Sequence, residues 1–435
     1  MSPGDPGFKT ATQLRNERKR KKTKQDKLQV SSSTTPEDPS LKYIANPTSA
    51  PIIQHAQQFF SDQGAEFPIQ VGPLEGWRTV AKLAVRAQDG CLKIGLFAPG
   101  SHQLLEVPQC KAHHPRINDA VAVLQKKCRS LHIQSFDEKT GEGSLRHVAI
   151  NIERATGKQQ LTLVWKGPDQ QPQELQKLCD TLIRVSQNNN EQLALHSLFV
   201  HYNSSWKHAN AIFARDGKWE KKFGDHDAIV ETLPISETVK VPLEFPPQVF
   251  RQANLDAFSN IVIKMREWLL PRPRKRCLEL YGGVGTIGLH LADLCETIVS
   301  SDENPFNKSC FERALQHMQY LVPPEQQNSS KGQQQRPDIS YLSQNASDMV
   351  KSGALHKADV VVVDPPRKGL DEDVLERLCR DTTPQSLVYV SCGFEAFTRD
   401  FAKLTRDGNW KLDHAEGHVL FPGSDAIETL AFFIR

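Results

Sequence analysis

The chain has 435 residues, 38% hydrophobic and 24% charged, with a mean hydropathy of −0.49, a length that suits two folded domains with appendages. No apolar run approaches the roughly 18 residues of a bilayer-spanning helix, and Met1-Ser2-Pro3-Gly4-Asp5 lacks the apolar core of a secretory signal, so neither a membrane nor a secreted protein is expected. The formal charge of +3 is unevenly spread: residues 1–30 hold nine Lys/Arg against three acids, which leaves the remainder net acidic.

Residues 1–45 read as a disordered basic tail, passing from the lysine run into Ser31-Ser32-Ser33-Thr34-Thr35-Pro36 without periodicity. Such a run serves nucleic-acid contact or nuclear import, or is a solvated extension with no partner. Residues 78–97 alternate in short apolar bursts around Asp89-Gly90, which predicts a hairpin. A second strand pair is predicted at Val148–Ile152 and Leu161–Val164, turned at Thr156-Gly157, with helices at Ile117–Cys128 and Glu174–Val185. Residues 46–245 are therefore expected to form an α+β domain, closed by a proline-marked linker at Val241-Pro242 and Phe245-Pro246-Pro247.

From residue 246 to 435 strands and helices alternate. Strands are expected at Arg276–Leu280, Thr297–Ser301, Ile339–Leu342, Asp359–Val363, Leu387–Ser391, Trp410–His414 and Thr429–Ile434. Helices are expected at Gly285–Leu294 and about Pro305–Tyr320. Strands embedded in helical segments imply a mostly parallel, Rossmann-like α/β sheet covered on both faces. A Gln/Ser-rich stretch, 323–337, reads as a loop insertion. The nine cysteines show no C-x-x-C spacing, which argues against a disulfide scaffold, a zinc ribbon or an ordinary iron–sulfur site and fits a reducing compartment.

Four stretches carry candidate chemistry. Leu280-Tyr281-Gly282-Gly283-Val284-Gly285-Thr286 sits at a strand-to-helix turn where glycines let the backbone approach a ligand, and Asp302 closes the next strand, where a carboxylate can accept from ribose hydroxyls. By itself this turn suits a dinucleotide, S-adenosylmethionine or a plain tight turn. Asp364-Pro365-Pro366-Arg367 follows the apolar run Val360–Val363, at the strand end where ligands bind in such sheets. No aromatic residue follows the prolines and no cysteine lies in that loop, which disfavours exocyclic amines and cytosine as targets. Cys392 ends the next strand; taken alone such a cysteine is more often a buried small hydrophobe, whereas a following helix N-terminus would lower its pKa and make a thiolate accessible. Glu428 opens the last strand.

Together with Phe250-x-Gln252-x-Asn254, Val390-Ser391-Cys392 and Phe421-Pro422…Glu428-Thr429, these motifs stand in one order over about residues 240–435. They resemble the RNA (uracil-5-)-methyltransferase family. More weakly, Gly76-Trp77-Arg78 and Ile94–Phe97 with Ser101, His102 and Cys110 are similar to that family's central RNA-contacting domain. The resemblance implies a class I methyltransferase domain over 246–435 that makes 5-methyluridine in tRNA or rRNA. It implies S-adenosylmethionine held by Gln252, Tyr281, Thr286, Asp302, Asn345 and Asp364. Cys392 would attack carbon 6 of uracil and Glu428 would remove the carbon-5 proton. RNA is the implied partner, with no membrane, no metal and no iron–sulfur cluster; a monomer in the nucleus or cytoplasm is expected, with an organelle left open.

The departures lie mostly on the uracil side. Gly282 stands where the family usually has Cys, Gly393-Phe394 replaces Asn-Pro, Ala426 replaces the His two residues before the base, and Val419 replaces an Asp. Two other readings therefore stand beside the first: an RNA-binding relative altered in catalysis, and a methyltransferase for another pyrimidine.

Overall fold

A computed structural model describes residues 38–98, 101–167, 173–188, 192–205, 212–214, 216–235, 239–272, 275–320 and 337–435. The tail up to residue 37 and the insertion up to residue 336 lie outside them. Residues 38–45, expected to be disordered, are held in place. The Tyr43 N–H donates to Gly423 O at 2.8 Å, and Cys110 Sγ donates to Asp38 Oδ2 at 2.9 Å.

Helix α1 (Pro51–Asp62) opens on a proline, whose fixed φ and missing N–H suit a first turn. Its Ile53, Ala56 and Phe60 recur at helical spacing and pack into the core of the C-terminal sheet. Strand β1 (Ile69–Val71) joins the same sheet, with Ile69 beside Gly417. Residues 51–71 thus leave the domain expected to begin at residue 46. Their apolar face meets its partners more than 300 residues away, and local patterning does not report such contacts.

The hairpin appears as expected in β2 (Val80–Gln88) and β3 (Cys91–Phe97), turned by Asp89 and Gly90 at φ of 52° and 72°. There follow β4 (Leu104–Leu105), α2 (Pro115–Ser130), β5 (Leu145–Ile152), β6 (Gln159–Trp165), α3 (Gln173–Gln187), β7 (Leu195–Tyr202) and β8 (Trp219–Phe223). They form a seven-stranded sheet of order β4-β3-β2-β5-β6-β7-β8, antiparallel except where α3 crosses from β6 to β7. Leu83, Val85, Val148, Ile150, Leu161 and Leu163 pack under α2 and α3. Strand alternation turns Lys82, Ala149, Asn151 and Thr162 to the other face.

Strands β9 (Ile229–Thr232), β10 (Val239–Lys240) and β11 (Pro242–Phe245) come next, and β11 pairs with β9. Part of the expected linker is therefore strand, with Pro242 at the first position, where a strand tolerates proline. Helix α4 (Leu255–Leu269) is capped by Asn254, whose Oδ1 accepts the Ala257 N–H at 3.1 Å.

The remaining elements are β12 (Lys275–Leu280), β13 (Cys295–Ser301), α5 (Asn307–His317), β14 (Gln319–Tyr320), β15 (Asp338–Leu342), α6 (Ala346–Lys351) and β16 (Val360–Val363). Then come α7 (Glu372–Arg380), β17 (Ser386–Ser391), α8 (Phe394–Asp407), β18 (Lys411–Val419) and β19 (Glu428–Ile434). They build an eight-stranded sheet, β1-β18-β19-β17-β16-β12-β13-β15, parallel from β15 to β17 with β19 antiparallel to both neighbours. Chain order reverses between β12 and β16, which opens a crevice at their carboxyl ends. The helix expected at 285–294 is instead a turn followed by a 3₁₀ helix, Gly288–Leu294. Gly283 and Gly285 hold φ of 56° and 86°, which right-handed helix cannot accommodate. Among the described residues no helix is long and apolar enough to cross a membrane.

Candidate active site

Strand alternation gathers the ionisable groups on one face of the eight-stranded sheet. Cys277, Ile298, Val360, Val362, Val388, Val390, Leu430 and Phe432 share one apolar cluster, while Leu278, Leu280, Val361, Val363, Tyr389 and Ala431 share the opposite one. Counting by twos from the first set reaches Glu279, Ser300, Asp302, Asp364, Cys392 and Glu428. All lie at the carboxyl edge of the parallel strands. Because β19 runs antiparallel to β17, its first residue also falls at that edge. Ser391 pairs with Thr429, so Cys392 and Glu428 are the next residues outward.

The glycine turn is braced from below by Glu279. Its Oε1 accepts the Gly288 N–H at 2.8 Å and its Oε2 accepts the Ser300 hydroxyl at 2.5 Å. A Cβ added at Gly282 would lie 2.4 Å from Ser300 Oγ and 2.8 Å from Glu279 Oε2, which explains the glycine where the family usually has cysteine. Over Gly283 an added Cβ would meet nothing within 4 Å, so a ligand can approach its backbone. Asp302 Oδ2 accepts the Gly283 N–H at 3.2 Å and Oδ1 accepts the Asn304 N–H at 2.8 Å, leaving each oxygen a further lone pair.

Burial sets the electrostatics. It pushes Glu279 up to about 7, against the bonds to Ser300 and Gly288 that pull it down. It pushes Asp364 up to about 7, helped by the charges of Glu279 and Asp302. Burial and then Asp364 hold Glu428 well above the ordinary carboxyl range, with Arg367 opposing. Cys392 does precede a helix, α8, but its thiol is not lowered as the sequence suggested. Burial, then the charges of Glu428 and Asp364, raise it to about 11. A dry edge with this many carboxylates favours a cationic ligand. S-adenosylmethionine, a sulfonium with ribose hydroxyls, fits that donor set.

The other expected cofactor residues are placed unequally. Gln252 lines a cleft together with Arg367, whose charge bears on Cys392 and Glu428. Thr286 lies in the turn, with its carbonyl 2.7 Å from His290 Nδ1. Tyr281 has φ of 60°, and its hydroxyl donates to Asp371 Oδ2 at 3.0 Å, which commits the phenol to the loop after β16. Asn345 is occupied as the cap of α6: its Oδ1 accepts the Asp348 N–H at 2.8 Å and its Nδ2 donates to Asp348 Oδ2 at 2.9 Å.

Sequence reasoning missed Glu279, whose signal was a carboxylate inside the apolar strand Cys277–Leu280. Leu342 is an exposed apolar residue whose carbonyl accepts the Asp302 N–H at 3.4 Å. The altered residues have structural explanations. A Cβ on Gly393 would sit 2.3 Å from Arg367 O, so the Asp364 loop closes on the residue after Cys392. Phe394 and Val419 are both buried in the apolar core that α1 completes. Ala426 faces the cleft.

That cleft, of about 360 Å³, lies between the sheets. Arg367, Phe421, Ser424 and Ala426 line one side, and Arg78, Lys82, Asn151 and Thr162 the other. Lys82 reaches into it with its ammonium 4.9 Å from the Phe213 ring centre, and the surrounding protein lowers its pKa. Arg78 lies 4.8 Å from Trp77 and 5.5 Å from Phe421, its pKa also lowered by burial.

Such an edge at the switch point of a Rossmann-like sheet is that of a class I methyltransferase. The fold is shared with a tRNA (uracil-54, C5)-methyltransferase of Pyrococcus abyssi, solved in complex with S-adenosyl-L-homocysteine, at a TM-score of 0.63 and 22% identity over 88% of this chain and 81% of that one. No protein-family model matches the chain. An uncharacterized RNA methyltransferase of Protochlamydia amoebophila is 38% identical over 365 residues, 84% of this chain and 87% of its own length. Another, of Lactococcus lactis, is 27% identical over 82% of this chain and 70% of its own. The chain belongs to this family of RNA methyltransferases, in agreement with the family that its ordered motifs resemble.

Proposed function

We propose that the chain transfers a methyl group from S-adenosylmethionine to carbon 5 of a uridine in RNA, with Cys392 as nucleophile and Glu428 as base. The observation that carries this reading is the placement of Cys392 and Glu428 just beyond the Ser391–Thr429 pair, on the face that also bears Asp364. S-adenosylmethionine supplies an electrophilic methyl group when bound. Cys392 adds to carbon 6, which the conjugated carbonyl makes electrophilic, and the enolate so formed is nucleophilic at carbon 5. After methylation Glu428 removes the carbon-5 proton, the carbon 5–carbon 6 double bond re-forms, and Cys392 leaves as thiolate.

Burial and neighbouring carboxylates raise both Glu428 and Cys392 in the free protein. Arg367, which favours both charged forms, is the group on this edge suited to ionise them as substrate excludes water. Arg78 and Lys82 across the cleft suit RNA phosphates. A uridine must leave its stack to reach Cys392, at a cost of about a few kcal/mol.

The test is release of tritium from RNA carrying [5-³H]uridine. Cofactor-dependent release, matched by 5-methyluridine in nuclease digests, is expected. Methyl incorporation without tritium release would place the methyl group on another atom.

A further inference from the structure

Glu428 must lose the proton it gains, and the structure shows where that proton can go. His418 on β18 is the register partner of Glu428 on β19. Opposed residues in an antiparallel pair share a face, with Cβ atoms about 4.5–5.5 Å apart. Ala415 and Val419 belong to the opposite apolar cluster, which turns Glu416 and His418 toward the face of Glu428. All three side chains are buried: Glu416 is 3%, His418 2% and Glu428 4% exposed. Glu416 Oε1, His418 Nε2 and Glu428 Oε1 find no hydrogen-bond partner among the described residues. His418 Nε2 lies 3.3 Å from Glu416 Oε1, at ion-pair distance without hydrogen-bond alignment. A buried polar atom left without a partner is costly, and three of them stand on one face here.

We propose that His418, seated against Glu416, takes from Glu428 the proton removed from carbon 5 and so resets the base from the neighbouring strand. The relay rests on the reaction proposed above. The electrons of the carbon 5–hydrogen bond close the ring double bond, and those of the carbon 6–sulfur bond return to Cys392. The proton moves from the Glu428 carboxyl to the His418 imidazole and then to solvent. The imidazolium faces the Glu416 carboxylate. Burial pushes Glu416 up, but His418, His414 and Lys264 together more than offset it, which suits Glu416 to be the counter-ion. The groups bearing on this row are Asp364 and Arg367 from the loop after β16, Cys392 after β17, His414 on β18 and Lys264 on α4. Ala426, two residues before the base, has no group that titrates. His418 acts through Glu428 and is a positioning residue.

The test compares full-length wild type, His418→Asn, Glu416→Gln and Glu428→Gln on unmodified tRNA and ribosomal RNA transcripts with S-adenosylmethionine. The readings are kcat, KM for RNA, and the fraction of protein shifted as an RNA adduct on a denaturing gel. His418→Asn is expected to lower kcat about tenfold or more, leave KM within about twofold, and raise the adduct fraction toward that of Glu428→Gln. Glu416→Gln, the milder change, should move the same readings in the same direction and serves if His418→Asn fails to fold. Wild-type kcat and adduct levels in both variants would overturn the relay, as would a fall in kcat without adduct accumulation. A wild type that forms no adduct on 5-fluorouridine RNA would instead overturn the uracil reading, and the relay with it.

Discussion

The eight-stranded sheet is covered on both faces and gathers its buried carboxylates Glu279, Asp364 and Glu428 at the carboxyl edge; the seven-stranded sheet is covered on one face and presents Arg78 and Lys82 on the other. The first arrangement concentrates carboxylates where water is scarce, raising Glu279, Asp364 and Glu428 together. The second spreads Arg78 and Lys82 along an accessible cleft wall. The proposed reaction assigns proton transfer and a cationic ligand to the first region and a phosphate backbone to the second. Substitutions at the edge should therefore change turnover and pH dependence, and substitutions on the wall should change binding and its response to salt.

The largest effect is expected from Glu428→Gln, which should slow turnover about 10²–10⁴-fold at the elimination step, so that the methylated covalent adduct accumulates, as single-turnover quench on RNA will show. Next is Asp364→Asn. Asp364 titrates at about 7 in the folded chain against an ordinary 3.8. A raised carboxyl costs stability as pH climbs through that interval, so the substitution should stabilise the cofactor-free protein at pH 8, by ~2–4 kcal/mol, with the gain vanishing near pH 4. Urea unfolding at the two pH values measures this, and a gain that persists at pH 4 would contradict the burial argument.

Smaller is the reactivity of Cys392. With its thiol at about 11, alkylation of Cys392 by iodoacetamide, followed by peptide mass spectrometry, should quicken about tenfold per pH unit between about 7 and 9. Glu428→Gln removes one of the charges that raise it and should speed the reaction at fixed pH. The smallest effect belongs to Lys82→Ala, which should weaken binding to single-stranded RNA a few-fold and reduce the salt slope by about 0.7 for each phosphate that the lysine neutralises. A Lys82 variant that lowered kcat at saturating RNA would blur the division between edge and wall.

Much of the edge could be read from sequence because parallel strands embedded between helices end at one place, so Asp302, Asp364 and Cys392 were locatable as the residues after apolar runs. Glu428 needed the motif order, since a carboxylate opening a strand is ordinarily exposed and carries no signal. What stayed hidden depended on pairing across the chain. Residues 51–71 build onto the C-terminal sheet through Phe60 and Ile69, and His418 matters only through its register with Glu428. The thiol of Cys392 was misjudged because a helix N-terminus is visible in sequence, whereas burial beside two carboxylates is not.

The central claim, a covalent Cys392–uracil adduct, is tested most directly by trapping on 5-fluorouridine-substituted RNA with S-adenosylmethionine, wild type beside Cys392→Ala. Fluorine at carbon 5 cannot leave as a proton, so wild type should stall as a cofactor-dependent band on a denaturing gel, absent in the variant. No band from wild type across tRNA and ribosomal RNA, with RNA and cofactor binding intact, would contradict it.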